Sequence, residues 1–250
     1  MIKYGLKLWS NNERYMEQAE KLYNEKAHDY IELYIVPGTY DKYIEMWRNL
    51  KIPCIIHCTH SMHGFNLAIK DEHQNNLRMF SEVRAFCDKL DGKYIIVHPG
   101  IGGSMENTIE QINAMNDRRL LIENMPYVSM FGDDCIGSVY EELKTIVDSC
   151  NIGFCMDVAH AIITAFHLEL NNFEYMKKML NLAPEVIHIS DGRKQKHASH
   201  LNIGDGDFDF EEIKKITALS NAEYITLELP KGNDWIHSFT EGSKKIKNYE

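Results

Sequence analysis

The sequence predicts one α/β domain, a closed (β/α)8 barrel. Two features carry that expectation: short apolar runs alternate with amphipathic segments along the whole chain, eight of each, and 250 residues is the usual size of such a barrel. A third feature argues against the open doubly wound sheet, since no glycine-rich phosphate loop follows the first strand. No Pro/Gly/Ser-rich linker, low-complexity tract or shift in composition divides the chain, so residues 1–250 read as a single domain.

Residues 3–9 form the first strand, and the polar–apolar stretch 13–26 the first helix. The second strand, 30–36, is stopped by Pro37-Gly38 and followed by a helix over 40–50. Residues 52–57 are the third strand. Its helix is long, because Leu67, Leu77, Phe80, Val83, Phe86, Cys87 and Leu90 fall at helical spacing across 67–90. The fourth strand, 94–98, is closed by Pro99-Gly100 and leads to a helix over 105–115. Residues 120–123 are the fifth strand, and 139–150 the next helix, with Ser138 placed as its cap ahead of Glu141. The almost purely apolar run 152–157 reads as a sixth strand buried on both faces, with 173–180 part of its helix. Residues 186–189 with 210–219, and 224–228 with 235–246, complete the eight pairs.

Charged residues are 26% and hydrophobic residues 44%, proportions that place the chain among soluble globular proteins. The opening residues lack the apolar core of a signal peptide, and no run approaches the ~18 apolar residues of a membrane span. The expectation is a cytoplasmic protein with no membrane partner. The six cysteines, Cys54, Cys58, Cys87, Cys135, Cys150 and Cys155, show no zinc-knuckle spacing, and Cys54 and Cys155 lie inside apolar runs. No disulfides are expected. A net charge of −10 disfavours loose electrostatic binding of nucleic acid, which depends on accumulated Lys and Arg.

The C-terminal ends of the strands matter most, because that rim is where barrels of this kind place their chemistry. The third strand ends in His57, with His60 and His63 just beyond. The fourth ends in His98, the fifth in Glu123, and the sixth in Asp157, with His160 three residues later. The seventh carries His188 and leads to Asp191, with His197 and His200 in the loop behind, and the eighth ends in Glu228. Asp157 alone reads equally well as the cap of a following helix, and a lone strand-end His or Glu is commonly a satisfied rim residue. Six consecutive strands ending in His, His, Glu, Asp, His and Glu are harder to explain in that way. All are oxygen or imidazole ligands, and a closed barrel aims them at one basin. Such a set favours zinc first, then manganese, iron or cobalt, over calcium. It contains more ligands than one ion uses, which points to two or three ions.

The chain resembles the xylose isomerase-like TIM barrels, and within them the endonuclease IV (class II AP endonuclease) family. The matching segments are Ile-Ile-Val-His98-Pro-Gly, Leu-Ile-Glu123-Asn, Gly-Phe-Cys-Met-Asp157-Val-Ala-His160-Ala, Ile-His188-Ile-Ser-Asp191, His200-Leu-Asn-Ile-Gly-Asp-Gly and Ile-Thr-Leu-Glu228. The resemblance implies a trinuclear zinc site that cleaves a phosphodiester beside an abasic sugar. It places one ion on His98, Glu123 and a third-strand histidine, and a second on Glu123, Asp157, His188 and Glu228. His160 and His200 would hold the third. The family's His-x-x-x-x-x-Asn-Leu spacing selects His60 as the third-strand ligand, whereas the end of the apolar run selects His57, the better preorganised of the two. The family carries an Asp two residues before the last histidine; here that position is Ala198, so His197 or a water would have to replace it. The aromatic presented after the third-strand ligand corresponds to His63, and the family's DNA-penetrating loops are not recognisable.

The expected activity is therefore hydrolysis of a phosphoester at a di- or trinuclear centre, with Glu123 and Glu228 as the catalytic carboxylates. His63, Asp191, Arg193, Lys194 and His197 are candidate substrate contacts, and Lys196 extends the same basic cluster. The alternative is a sugar or sugar-phosphate isomerase or epimerase, for which Glu123, Asp157, His188 and Glu228 are the expected single-metal centre. One to three ions per chain cover both readings. A small phosphorylated or polyhydroxy substrate is favoured over DNA on charge and on the missing loops.

Overall fold

The computed structural model describes residues 1–129, 131–196 and 198–247. Its eight barrel strands are β1 (Lys3–Trp9), β2 (Tyr30–Tyr34), β3 (Cys54–His57), β4 (Ile95–Val97), β5 (Leu120–Glu123), β6 (Gly153–Asp157), β7 (Val186–Ile189) and β10 (Tyr224–Leu227). Neighbours in sequence pair in parallel, and β10 closes on β1 with Lys3 beside Tyr224. The helices are α1 (Met16–Asn24), α2 (Tyr40–Asn49), α3 (His73–Lys89), α4 (Met105–Met115), α5 (Tyr140–Cys150), α6 (Val158–His167), α7 (Asn172–Met179), α8 (Phe210–Leu219) and α9 (Trp235–Lys247). None of them is long and apolar enough to cross a membrane.

Strand side chains alternate between two cores, as a period of two requires. Leu6, Leu8, Leu33, Ile56, Val97, Ile122, Phe154 and Met156 face outward and join the helices in the larger core. Tyr30, Ile55, Ile96, Leu121, Cys155, Val186 and Tyr224 fill the inside of the barrel. Toward the C-terminal ends the inward positions turn polar: Lys7 lies beside Glu32 in register, and Asp157 beside His188, which lies beside Thr226. The apolar plug is thus the floor of a charged basin. All six cysteines are free thiols, and burial raises the pKa of Cys54 to about 12, as expected of a packed, unreactive thiol.

Three elements differ from the sequence expectation. Helix α3 begins at His73, not at 67, because Asn66 Oδ1 accepts the N–H groups of Ala68 and Ile101 at 3.2 and 3.0 Å. Those bonds hold the backbone in a non-helical course. Helix α6 starts directly after β6, ahead of the expected 173–180 segment, and its almost wholly buried run Val158–Ala165 hides the amphipathic period that reveals most helices. Finally, the loop after β7 folds into an antiparallel hairpin, β8 (Asp191–Arg193) with β9 (Ala198–Leu201).

Candidate metal centre

The strand ends converge on Glu123, which is 1% exposed at the end of β5. Its two carboxylate oxygens face different groups. Oε2 lies 3.0 Å from His57 Nε2 and 3.2 Å from His98 Nε2, whereas Oε1 lies 3.3 Å from His188 Nδ1. His188 Nδ1 is also 3.2 Å from Glu228 Oε2 and 3.9 Å from Asp157 Oδ2. Two sets of ligand atoms, each within 4.8 Å of one another, therefore share Glu123: His57 with His98, and Asp157 with His188 and Glu228.

The histidines are oriented from behind. His57 Nδ1 donates to the Cys58 carbonyl at 2.9 Å, and His160 Nδ1 to the Asn124 carbonyl at 2.9 Å. His188 Nε2 donates to Glu32 Oε2 at 2.8 Å. A carbonyl can only accept, so His57 and His160 in their neutral forms present a bare Nε2, and His188 a bare Nδ1. At His57 and His188 that lone pair then faces a carboxylate oxygen, a contact that needs a cation or a proton between the two. This is the outer-shell pattern by which metal-binding histidines are held.

The two oxygens of Asp157 stand in different surroundings. Its Oδ1 caps α6 by accepting the His160 N–H at 2.7 Å, so the cap and the ligand readings of this residue are compatible. Its Oδ2 is buried with no hydrogen bond, as are Glu228 Oε2 and His200 Nδ1 among the described residues. Buried acceptors without partners are costly, and a divalent cation bound by carboxylates and imidazoles would satisfy them. The residues present fit such an ion. Burial alone would raise the pKa of Glu123, but the His188 and His98 charges and the bonds from His188 and His57 outweigh it and hold the carboxyl well below the usual range.

Two further charged residues of the basin fall inside strands, away from the strand ends that mark the others. Lys7 is 7% exposed, with Nζ 2.8 Å from Glu228 Oε1 and 3.2 Å from Glu32 Oε1. Burial opposes its charge, yet Glu228 and Glu32 raise its pKa above the ordinary lysine value, so it is a permanent cation here. Glu32, fully buried, also accepts from Thr226 Oγ1 at 2.6 Å; despite its burial, the His188 and Lys7 charges bring its pKa down to about 2. The available signal was a charge at an inward position of each apolar strand, Lys7 in β1 and Glu32 in β2.

The remaining candidates separate by position. His60 lines the basin, its ring stacked on His98 at 5.1 Å and 9°, and burial followed by the nearby His98 pushes its pKa down to about 2. His160 and His200 meet edge to face at 5.5 Å, and His200 holds a left-handed backbone (φ 61°) while its N–H donates to Ser190 Oγ. Ala198 adds no ligand there. His63 lies against the Tyr34 hydroxyl at 2.8 Å and does not line the basin. Asp191 is 1% exposed, and both its oxygens accept backbone N–H groups, from Gly192, Gly204, Gly206 and Phe208. Arg193 reaches the Asp205 carbonyl and Lys194 borders a separate surface hollow, so neither is brought to the basin, whereas Lys196 is. His197 lies outside the described residues.

The basin opens into a cavity of about 1060 Å³. A family model described as xylose isomerase-like TIM barrel matches residues 15–249. The chain belongs to that family. Among curated relatives it is 25% identical over 200 residues to a probable endonuclease 4 of Mycoplasmopsis pulmonis, covering 71% of this chain and 70% of that protein. Among solved structures it is similar to a D-tagatose 3-epimerase-like protein, at a TM-score of 0.75 and 20% identity, covering 99% of this chain and 97% of the other. It is also similar to endonuclease IV from Thermus thermophilus, at a TM-score of 0.71 and 19% identity, covering 99% and 98%. At 20% and 19% identity, these two structural likenesses speak for the fold alone.

Proposed function

We propose that this member of the family is a metal-dependent phosphoester hydrolase with a dinuclear centre, of zinc type, at the C-terminal rim of the barrel. The observation that supports this best is the division of the Glu123 oxygens between two sets of ligands. A carboxylate shared in that way suits two neighbouring ions. His57 and His98 with Glu123 Oε2 would hold one, with His60 the alternative third-strand imidazole. Glu123 Oε1, Asp157, His188 and Glu228 would hold the other. His160 and His200 would make a third, weaker position, because two nearby carboxylate oxygens, Glu228 Oε1 and Asp157 Oδ1, are already engaged by Lys7 and by the His160 N–H. When bound, such ions activate a water and stabilise negative charge on a phosphoryl oxygen.

The chain's own residues hold the geometry. Glu32 fixes the His188 ring, the Cys58 and Asn124 carbonyls fix His57 and His160, and Lys7 engages one oxygen of Glu228 so that the other faces the centre. A small phosphorylated substrate is preferred to DNA, in keeping with the net charge of −10. The test is phosphate release from a panel of small phosphomonoesters and diesters, with and without chelator, beside Glu123→Gln. Hydrolysis lost on chelation and in the variant supports the proposal; a metal-loaded chain inert to every phosphoester, an abasic-site duplex included, refutes it.

A second reading rests on one observation. Glu123, Asp157, His188 and Glu228 form a complete single-ion set by themselves, as an epimerase acting on a polyhydroxy substrate would need. In that case a carboxylate, Glu123 or Glu228, would move a proton between substrate carbons. Solvent deuterium entering a ketose on incubation would favour this reading over hydrolysis.

A further inference from the structure

We propose that Lys231 and Arg14 form a subsite for a phosphate monoester group of a small substrate, set apart from the reacting centre. The idea deepens the functional reading above and rests on the basin being where substrate reacts. The observation behind it is a local inversion of charge. The chain carries 37 acidic against 27 basic residues, yet the charged lining of the large cavity is Lys7, Arg14, Lys196 and Lys231 against Glu123 and Glu228. Lys7 is engaged by Glu228 at 2.8 Å. Lys231 and Arg14 form no ion pair among the described residues.

Both are held in place by other means. Lys231 Nζ donates to the Leu229 carbonyl at 2.7 Å and lies 5.8 Å from the centre of the Trp235 ring. The Arg14 guanidinium lies 4.6 Å above the Tyr15 ring, and the Tyr15 and Trp235 rings are 5.1 Å apart. The Tyr15 hydroxyl donates to the Lys231 carbonyl at 3.4 Å, tying the two segments together. The result is an aromatic ledge that presents two cations with no carboxylate partner among the described residues. Both cations also border an adjoining hollow of about 380 Å³, where the carboxylate Asp234 pairs with neither. Burial pulls the Lys231 pKa down to about 8, against the opposing field of Glu228 and with Lys7 acting in the same direction as burial. A guanidinium fork beside an ammonium point charge is the pairing that recognises phosphate. The loop after the eighth strand, which carries Lys231, is also where barrels of this type commonly hold one.

The experiment is calorimetric titration of the full chain with inorganic phosphate in a Glu123→Gln background, where the proposed metal centre is disabled and only the cavity's own cations remain to bind phosphate. In that background Lys231→Ala and Arg14→Ala are each expected to weaken phosphate binding about tenfold or more. Lys231→Arg, which keeps a cation there, should retain most of it. A pentose 5-phosphate should displace phosphate, and the unphosphorylated pentose should not. Binding unchanged in the Arg14/Lys231 double alanine variant, or absent from the Glu123→Gln parent, would overturn the subsite. Displacement by a DNA duplex at lower concentration than by the sugar phosphate would overturn its assignment to a small substrate. Intact phosphate binding in a native chain that hydrolyses no phosphoester would refute the hydrolase reading and leave the subsite standing.

Discussion

Each oxygen of Glu123 faces a different set of ligands, so Glu123→Gln acts on both positions at once. Elemental analysis of this variant should show bound metal falling to near zero, with the far-ultraviolet circular dichroism unchanged because the apolar plug lies beneath the basin. Asp157 allows a finer test. Asparagine caps helices as well as aspartate does, so Asp157→Asn should lose metal yet keep α6, whereas Asp157→Ala should lose metal and a further ~1 kcal/mol of stability in denaturant titration. Lys7→Met would leave Glu32 and Glu228 uncompensated, and breaking a buried pair in this way costs ~3–5 kcal/mol. Added divalent metal should restore part of that loss. The strand-end residues of the candidate site were legible in the sequence because each lies at or next to the end of an apolar run, which sets its height in the barrel. Lys7 and Glu32 were not, because a charge inside a strand is informative only once the inward face is known. The partner that makes each tolerable lies on another strand.

At the scale of elements, the sequence anticipated every barrel strand but not the hairpin after β7. The hairpin is built around Asp191, whose oxygens collect the N–H groups of Gly192, Gly204, Gly206 and Phe208. A side chain at Gly206 would meet the Gly192 carbonyl at 2.1 Å and Asp191 Oδ1 at 2.2 Å, so the loop closes only over a glycine. Nothing in the spacing of Asp191 separates a carboxylate that binds backbone from one that binds substrate; that distinction requires the loop's path. Asp191→Ala should orphan several N–H groups at ~1–3 kcal/mol for each one left buried. Hydrogen exchange should then quicken across 200–208, and the placement of His200 should loosen with it. Lys194→Ala, on a separate hollow, should leave catalysis within error of the native chain. Helix α6 is hidden in the sequence for the opposite reason, since a helix buried on nearly all sides has no polar stripe to mark its period.

For the whole molecule, the basin concentrates Glu32, Glu123, Asp157 and Glu228 with a single buried lysine, and several of their acceptors lack a hydrogen bond. A barrel so arranged should be more stable with its ions than without them. Ligand held at a hundred times its dissociation constant adds ~2.7 kcal/mol, so chelation should lower the melting temperature, and zinc should restore it. The proposed sharing of Glu123 predicts two ions, and the ion count separates the proposed hydrolase from an epimerase. The most direct measurement is the count of divalent ions per chain after exhaustive dialysis, for the native protein and for Glu123→Gln. Two ions in the native chain, both lost from the variant, are expected. A single ion, or a pair that survives Glu123→Gln, would contradict a centre bridged by that carboxylate.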